Sequence, residues 1–240
     1  MSQALTARSV VLSVLLGAHP AWATAAELLR LTADFGIREP TLRVALTRMV
    51  SAGDLVRSND GYRLSDRLLA RQHRQDEALN PVSRNWDGTW ITVIIIAVGA
   101  DARTRGIMRT TLQDNRFGEL REGVWMRPDN LDPTVPAVIR GRARVLRATD
   151  DNSAELVLRL WDIRDWSKAA HRLLRQMNAA NDIPSQFVVA AAIVRHLLTD
   201  PVLPAELLPA DWPAESLRAA YYEFAELLTS RREDELLEAR

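Results

Sequence analysis

Apolar positions in the first third of the chain recur at helical spacing. Val10, Val11, Val14 and Leu15 in "ARSVVLSVLLGA" form one stripe. Thr24 precedes "AAELLRLTADFG" with Glu27 three residues on, which predicts a second helix opened by a capping box. Gly36 breaks it. In "REPTLRVALTRMVSAGDL" the apolar set Leu42, Ala45, Leu46, Met49 and Val50 predicts a third helix, with Pro40 tolerated in its first turn. After Gly53, "LVRSNDGYRL" reads as two short alternating strands joined at Asn59, Asp60 and Gly61. A further helix, "SDRLLARQHRQDEAL", leads into the Pro/Asn/Gly-bearing loop "NPVSRNWDGTW".

From about residue 86 the pattern changes. "TWITVIIIAV" reads as a buried strand and "DARTRGIMRTTLQDNRFG" as a helix ended by Gly118. "GVWMRP" reads as a strand, "AVIRGRARVLRAT" alternates with period two, and "AELVLRLWD" is expected to be one more strand. Strand, helix, strand, strand and a further element suggest a small ferredoxin-like α/β sandwich. From about residue 161 the chain turns helical. "IRDWSKAAHRLLRQM" is apolar at helical spacing, "SQFVVAAAIVRHLLTD" is apolar on most faces, and "AESLRAAYYEFAELLTSRREDELLEA" is amphipathic. Between the last two lies "DPVLPAELLPADWP", whose prolines forbid helix interior. Leu203, Leu207, Leu208 and Trp212 give it an apolar side, so it is expected to strap the C-terminal helices onto each other or onto the central domain. The expected fold is α+β and multi-domain. Residues 1–85 form a winged helix-turn-helix with a connecting helix, 86–160 a ferredoxin-like domain and 161–240 a helical domain.

Composition narrows the classes. An apolar share of 47% supports packed cores, and the absence of cysteine removes disulfide, zinc-thiolate and cysteine-nucleophile chemistry and suits a reducing cytoplasm. "ITVIIIAVGA" is too short to span a membrane. Net charge is zero but unevenly placed, with residues 1–85 positive and 151–240 negative. The N-terminal end is therefore the one suited to phosphate. Lys168 is the one lysine, so the positive charge is almost all guanidinium.

In a winged helix the third helix enters the major groove. Arg38, Thr41, Arg43, Val44, Thr47 and Arg48 would then face DNA, Arg bridging guanine and Thr meeting a base edge or thymine methyl. Arg57, Ser58, Asn59 and Arg63 in the wing would meet phosphates or the minor groove. A solvated helix face and a protein-interaction module are the competing readings. Arg105, Arg109, Arg116 and Arg127 are candidate partners for an anionic effector, against the alternative of an ordinary charged face. "GADARTRG" lacks a phosphate-cradle pattern. The carboxylates of the middle segment form no pair with a His or nucleophile. His73, His171 and His196 fall in different helices, so no metal, cofactor or catalytic site is expected. A metal-dependent nuclease on the middle segment stays as the alternative enzyme reading.

Five motifs in order, "GIREPTLRVALTRMVSAGDL", "WDGTW", "FGELREGVWMRP", "RLWD" and "LLTDPVLPAELLPADWP", resemble the PaaX family of bacterial transcriptional regulators. The resemblance implies a winged helix, a central domain similar in fold to the small nuclease-like subunit of the CRISPR spacer-acquisition complex, and a helical C-terminal domain. It also implies a homodimer that represses a catabolic operon by binding double-stranded operator DNA, and that an aryl- or acyl-CoA thioester such as phenylacetyl-CoA releases. Thr41, Arg43, Val44, Thr47 and Arg48 carry over as operator-reading positions. Asp54 departs from the family pattern, which usually has an aromatic there, and the helix after "RLWD" lacks the usual tyrosines.

Overall fold

In the computed structural model, residues 5–58, 60–96, 101–132 and 135–238 are described, the side chains of 231–238 excepted. Asn59 and the end of the "ITVIIIAVGA" run lie outside the described residues. The fold is α+β and multi-domain, with two small antiparallel sheets. The chain divides into two compact units, one of Met1–Glu77, Leu173–Val194 and Arg218–Arg240, the other of Ala78–Arg172 and Arg195–Leu217.

The first unit opens with α1 (Ala7–Gly17), whose N-cap Thr6 hydroxyl accepts from the Ser9 amide at 3.2 Å. Gln72 closes its other end, donating to the carbonyls of Leu15, Leu16 and Ala18. A two-residue strand β1 (Trp22–Ala23) leads to α2 (Ala25–Ala33). The expected capping box is present. Thr24 accepts from the Glu27 amide at 3.1 Å and Glu27 accepts from the Thr24 amide at 2.8 Å. Then come α3 (Glu39–Ser51), β2 (Leu55–Arg57), β3 (Tyr62–Leu64) and α4 (Asp66–Leu79). The three strands form one antiparallel sheet in the order β1-β3-β2. Gly61 is required by proximity, since a Cβ there would stand 2.5 Å from the Ala23 carbonyl oxygen of β1. Val10, Val11, Leu15, Leu28, Leu42, Leu46, Met49, Leu55 and Leu64 are buried. Phe187, from a later stretch of the same unit, meets Phe35 edge-on at 4.8 Å and Phe224 at 6.4 Å.

The second unit holds a four-stranded sheet: β4 (Trp90–Ile95), β5 (Gly118–Arg121), β6 (Val124–Pro128) and β7 (Ala143–Ala148), in the order β5-β6-β4-β7. With α5 (Ala102–Asp114) after β4 and the single turn α6 (Ala137–Arg140) before β7, this is ferredoxin-like topology. Alternation splits β4 and β6 between two cores. Ile91, Val93 and Trp125 join Met108, Leu112, Phe117 and Ile139 on the α5 side. Trp90 and Met126 join the other side, with Leu156, Val157, Leu160, Ile163 and Leu203.

Four expectations are corrected here. "AELVLRLWD" is not a strand but α7 (Ser153–Leu160). Asn152 accepts from the Glu155 amide, Arg159 pairs with Glu155, and Leu156, Val157 and Leu160 bury one helical face. Helix α5 stops at Asp114 rather than running to Gly118, because Arg116 takes φ 66° and turns the chain into β5. There a Cβ would lie 2.7 Å from Leu160 Cβ, so glycine lets α7 close on the strand. "AVIRGRARVLRAT" is not one strand, since α6 occupies its first part. Helix α9 (Ile183–Leu197) is buried on one face only, with Val188 exposed.

Helices α8 (Ile163–Ala179) and α10 (Ala214–Glu238) complete the chain. The proline-rich stretch bears a 3-10 turn at Ala205–Leu207 and packs within the second unit. Leu203 is buried beside Trp90, with Leu207, Leu208 and Trp212 against the same core. Asp200 accepts from the Val202 amide at 3.1 Å, and the Val202 carbonyl accepts from Asn130 at 2.9 Å. Val202 sits at φ 50°, a costly conformation for a β-branched residue that these two bonds help to hold. Trp166 stacks between His196 and Trp212, each ring centroid 4.3 Å away.

Candidate nucleic-acid interface

Helix α3 buries Leu42, Leu46 and Met49, and helical periodicity then commits the rest of its surface to solvent. Thr41, Arg43, Val44, Thr47, Arg48 and Ser51 are all exposed and follow one another around a single side of the helix. Arg38 stands exposed at its N-cap. Val44, an apolar side chain, is 52% exposed.

Two of these side chains are already engaged. The Thr47 hydroxyl donates to the Arg43 carbonyl at 3.0 Å, leaving its oxygen lone pair and methyl group outward. Arg43 donates through Nε and Nη2 to Glu39 at 2.8 and 2.5 Å. Glu39 belongs to the same surface and went unnoticed in the sequence, where a first-turn acid reads simply as dipole compensation.

In the wing, Arg57 and Arg63 are exposed. Arg63 Nη1 lies 3.6 Å from Asp66. Ser58 is exposed as well, and its hydroxyl donates to the Gly61 carbonyl and accepts from the Trp22 indole, both at 3.2 Å, so it also helps to organise the turn. No pattern in the sequence pointed to Trp22. Asp54, the family departure, is buried and accepts from Arg8 at 2.8 and 3.0 Å and from Arg67 at 2.6 Å. It thereby ties the turn after α3 to α1 and α4.

The four proposed effector arginines have different surroundings. Arg105 is exposed on α5. Arg109 pairs with Glu119 at 2.7 Å and lies over Trp125. Arg116 donates to the Leu198 carbonyl. Arg127 is buried over the Phe117 ring and donates to the Leu131 carbonyl, and burial pushes its pKa down to about 10. Among the described residues no group of three or more His, Cys, Asp or Glu could hold a metal, and no helix is long and apolar enough to cross a membrane.

A three-helix head with a β-hairpin wing, followed in the chain by a ferredoxin-like sheet, defines the class: a winged-helix protein with an appended α/β domain. Three family models match in sequence order, a PaaX-like protein at residues 6–68, the PaaX protein central Cas2-like domain at 83–149 and the PaaX-like protein C-terminal domain at 162–237. The chain belongs to the PaaX family, whose type is regulatory. Among solved structures it is similar to the uncharacterized protein Rv0674 from Mycobacterium tuberculosis. The two are 66% identical over 95% of this chain and 98% of that one, with a TM-score of 0.86. No curated protein matches.

Proposed function

We propose that this protein is a DNA-binding transcriptional regulator, a homodimeric repressor of a catabolic operon that an aryl- or acyl-CoA thioester releases. The observation that carries it is the unbroken exposed side of α3, where Arg43 and Arg48 alternate with Thr41, Val44 and Thr47. That mixture suits a major groove. Guanidinium forks bridge guanine, hydroxyl oxygens meet base edges, and the Val44 and threonine methyls meet thymine methyl groups. Arg57 and Arg63 in the wing supply backbone contacts that fix register. The family's regulatory type supports the same reading.

The test is a fluorescence-anisotropy titration of the full chain against a duplex of its own upstream region and a scrambled duplex. Preference for the native duplex that is lost in Arg48→Ala supports the reading, and equal binding to both removes sequence recognition by α3. Adding phenylacetyl-CoA and other acyl-CoA thioesters to the preformed complex tests release. A full panel without effect removes the effector class.

A further inference from the structure

β7 is an edge strand, paired with β4 and with no other described strand. Arg144, Val145, Leu146 and Arg147 are all exposed, so the strand shows both faces to solvent. From Val135 to Thr149 the chain carries Arg140, Arg142, Arg144 and Arg147 and not one carboxylate. Arg147 is neutralised by Asp129 at 2.8 Å. Arg140 gives only its Nε, to the Val135 carbonyl. Arg142 and Arg144 form no ion pair among the described residues. The Asp101 carboxyl, held low chiefly by Thr104, also feels the charges of Arg105 and Arg142. Ile95 pairs with Ala143 and the Ile96 amide donates to the Arg142 carbonyl at 3.0 Å, so the turn before β7 lies beside the end of β4.

Three occupants are conceivable for such an edge. Pairing with a second copy would bring the Arg142 and Arg144 charges of two strands together with no ion-pair partner of their own, and like charges across a strand pair destabilise it. Water alone would make the arginines guards against edge pairing. A phosphate backbone is the complementary partner. Arg142 in the turn and Arg144 on β7 are two residues apart, so their Cα atoms lie at most about 7 Å apart. Each strand of a duplex carries a charge every ~3.4 Å of its axis, so both guanidiniums can engage one backbone.

We propose that Arg140, Arg142 and Arg144 form a second DNA contact, one that grips phosphates and reads no bases. It rests on the DNA-binding reading above. Wild-type protein and Arg142→Ala/Arg144→Ala are titrated by anisotropy against the upstream duplex and a scrambled duplex through a salt series. The variant is expected to lose affinity for both duplexes by the same factor. Its slope of log K against log salt should be shallower by about 1.8, two phosphates at ~0.9 each. Arg142→Lys/Arg144→Lys should keep the wild-type slope, which separates lost charge from a disturbed fold.

An alanine variant with wild-type affinity and slope overturns the proposal and leaves the edge as a charge guard. So does a loss confined to the upstream duplex, which would mean base reading. A variant that turns monomeric in sedimentation velocity while its slope is unchanged assigns the edge to a second copy instead. A wild type that binds neither duplex is a separate failure, because it removes the underlying DNA-binding reading as well.

Discussion

Arg43 Nη2 lies 2.5 Å from Glu39 Oε1 one turn earlier on α3, with both side chains largely in solvent. An exposed pair of this spacing contributes only ~0.3–0.5 kcal/mol to folding. Its consequence concerns binding, because Glu39 competes with DNA for the same guanidinium. Glu39→Gln should therefore tighten binding to every duplex a few-fold. Arg43→Ala should weaken binding to the upstream duplex by about 1–3 kcal/mol, with more loss there than on scrambled DNA. Anisotropy titrations read both effects, and thermal midpoints should stay close to wild type.

Asp54 carries the heavier structural role. Its carboxylate is buried, yet its partners Arg8 and Arg67 are 59% and 67% exposed. Removing the acid leaves two solvated guanidiniums rather than two stranded charges, so the cost stays below that of a fully buried pair. Asp54→Asn should lose about 1–3 kcal/mol in urea unfolding. Arg8→Ala, which leaves Arg67 in place, should lose less. Equal losses for the two would place the stabilisation outside the carboxylate.

Trp22 and Ser58 hold the wing. Ser58→Ala removes the indole's acceptor and the bond to Gly61, at a stability cost of about 1 kcal/mol. DNA affinity should fall by more than that, because Arg57 borders the same turn. Trp22 is the one tryptophan of seven in the first unit. The emission difference between wild type and Trp22→Phe therefore reports on the wing. A difference unchanged by DNA would show that the wing stays out of the complex.

Half-buried His196 stacks on Trp166 and donates through Nε2 to that residue's carbonyl. Burial holds its pKa below the ordinary 6.5, against the upward pull of this bond and of Asp200, with Arg172 acting alongside burial. The folded state thus resists protonation that the unfolded chain accepts. Its contribution is present above about pH 6.5 and is lost as pH falls below that value. Stability measured between about pH 7.5 and 5.5 should decline in wild type and decline less in His196→Phe. Parallel curves would remove His196 as the cause.

The head was legible because its signals are local. Thr24, Glu27, Gly36 and the Leu42–Leu46–Met49 stripe act within a turn or two of themselves. Helix α7 was not, since Leu156, Val157, Leu158 and Leu160 in so short a window fit either period. The choice was made by a distant core around Trp90 and Met126 that buries three of them, and by the Asn152 cap. The exposed reading surface could be found because periodicity leaves it outside when the stripe goes in. The fate of Arg109, Arg116 and Arg127 could not, because a ring below or a carbonyl many positions away decides whether a guanidinium faces a ligand. Asp54 stood out only as a departure, and its two arginines lie on other helices.

The path of the chain bears on how such a protein is inherited. Residues 195–217, with their strained Val202, belong to the second unit, while the stretches on either side belong to the first. Phe187, from the earlier of those stretches, packs on Phe35 of the head. No single cut in the gene releases the head with all of its own core. Recombination that lends a winged helix to a new partner at one crossover would leave this one incomplete, so head and strap are expected to travel together through evolution as one gene segment.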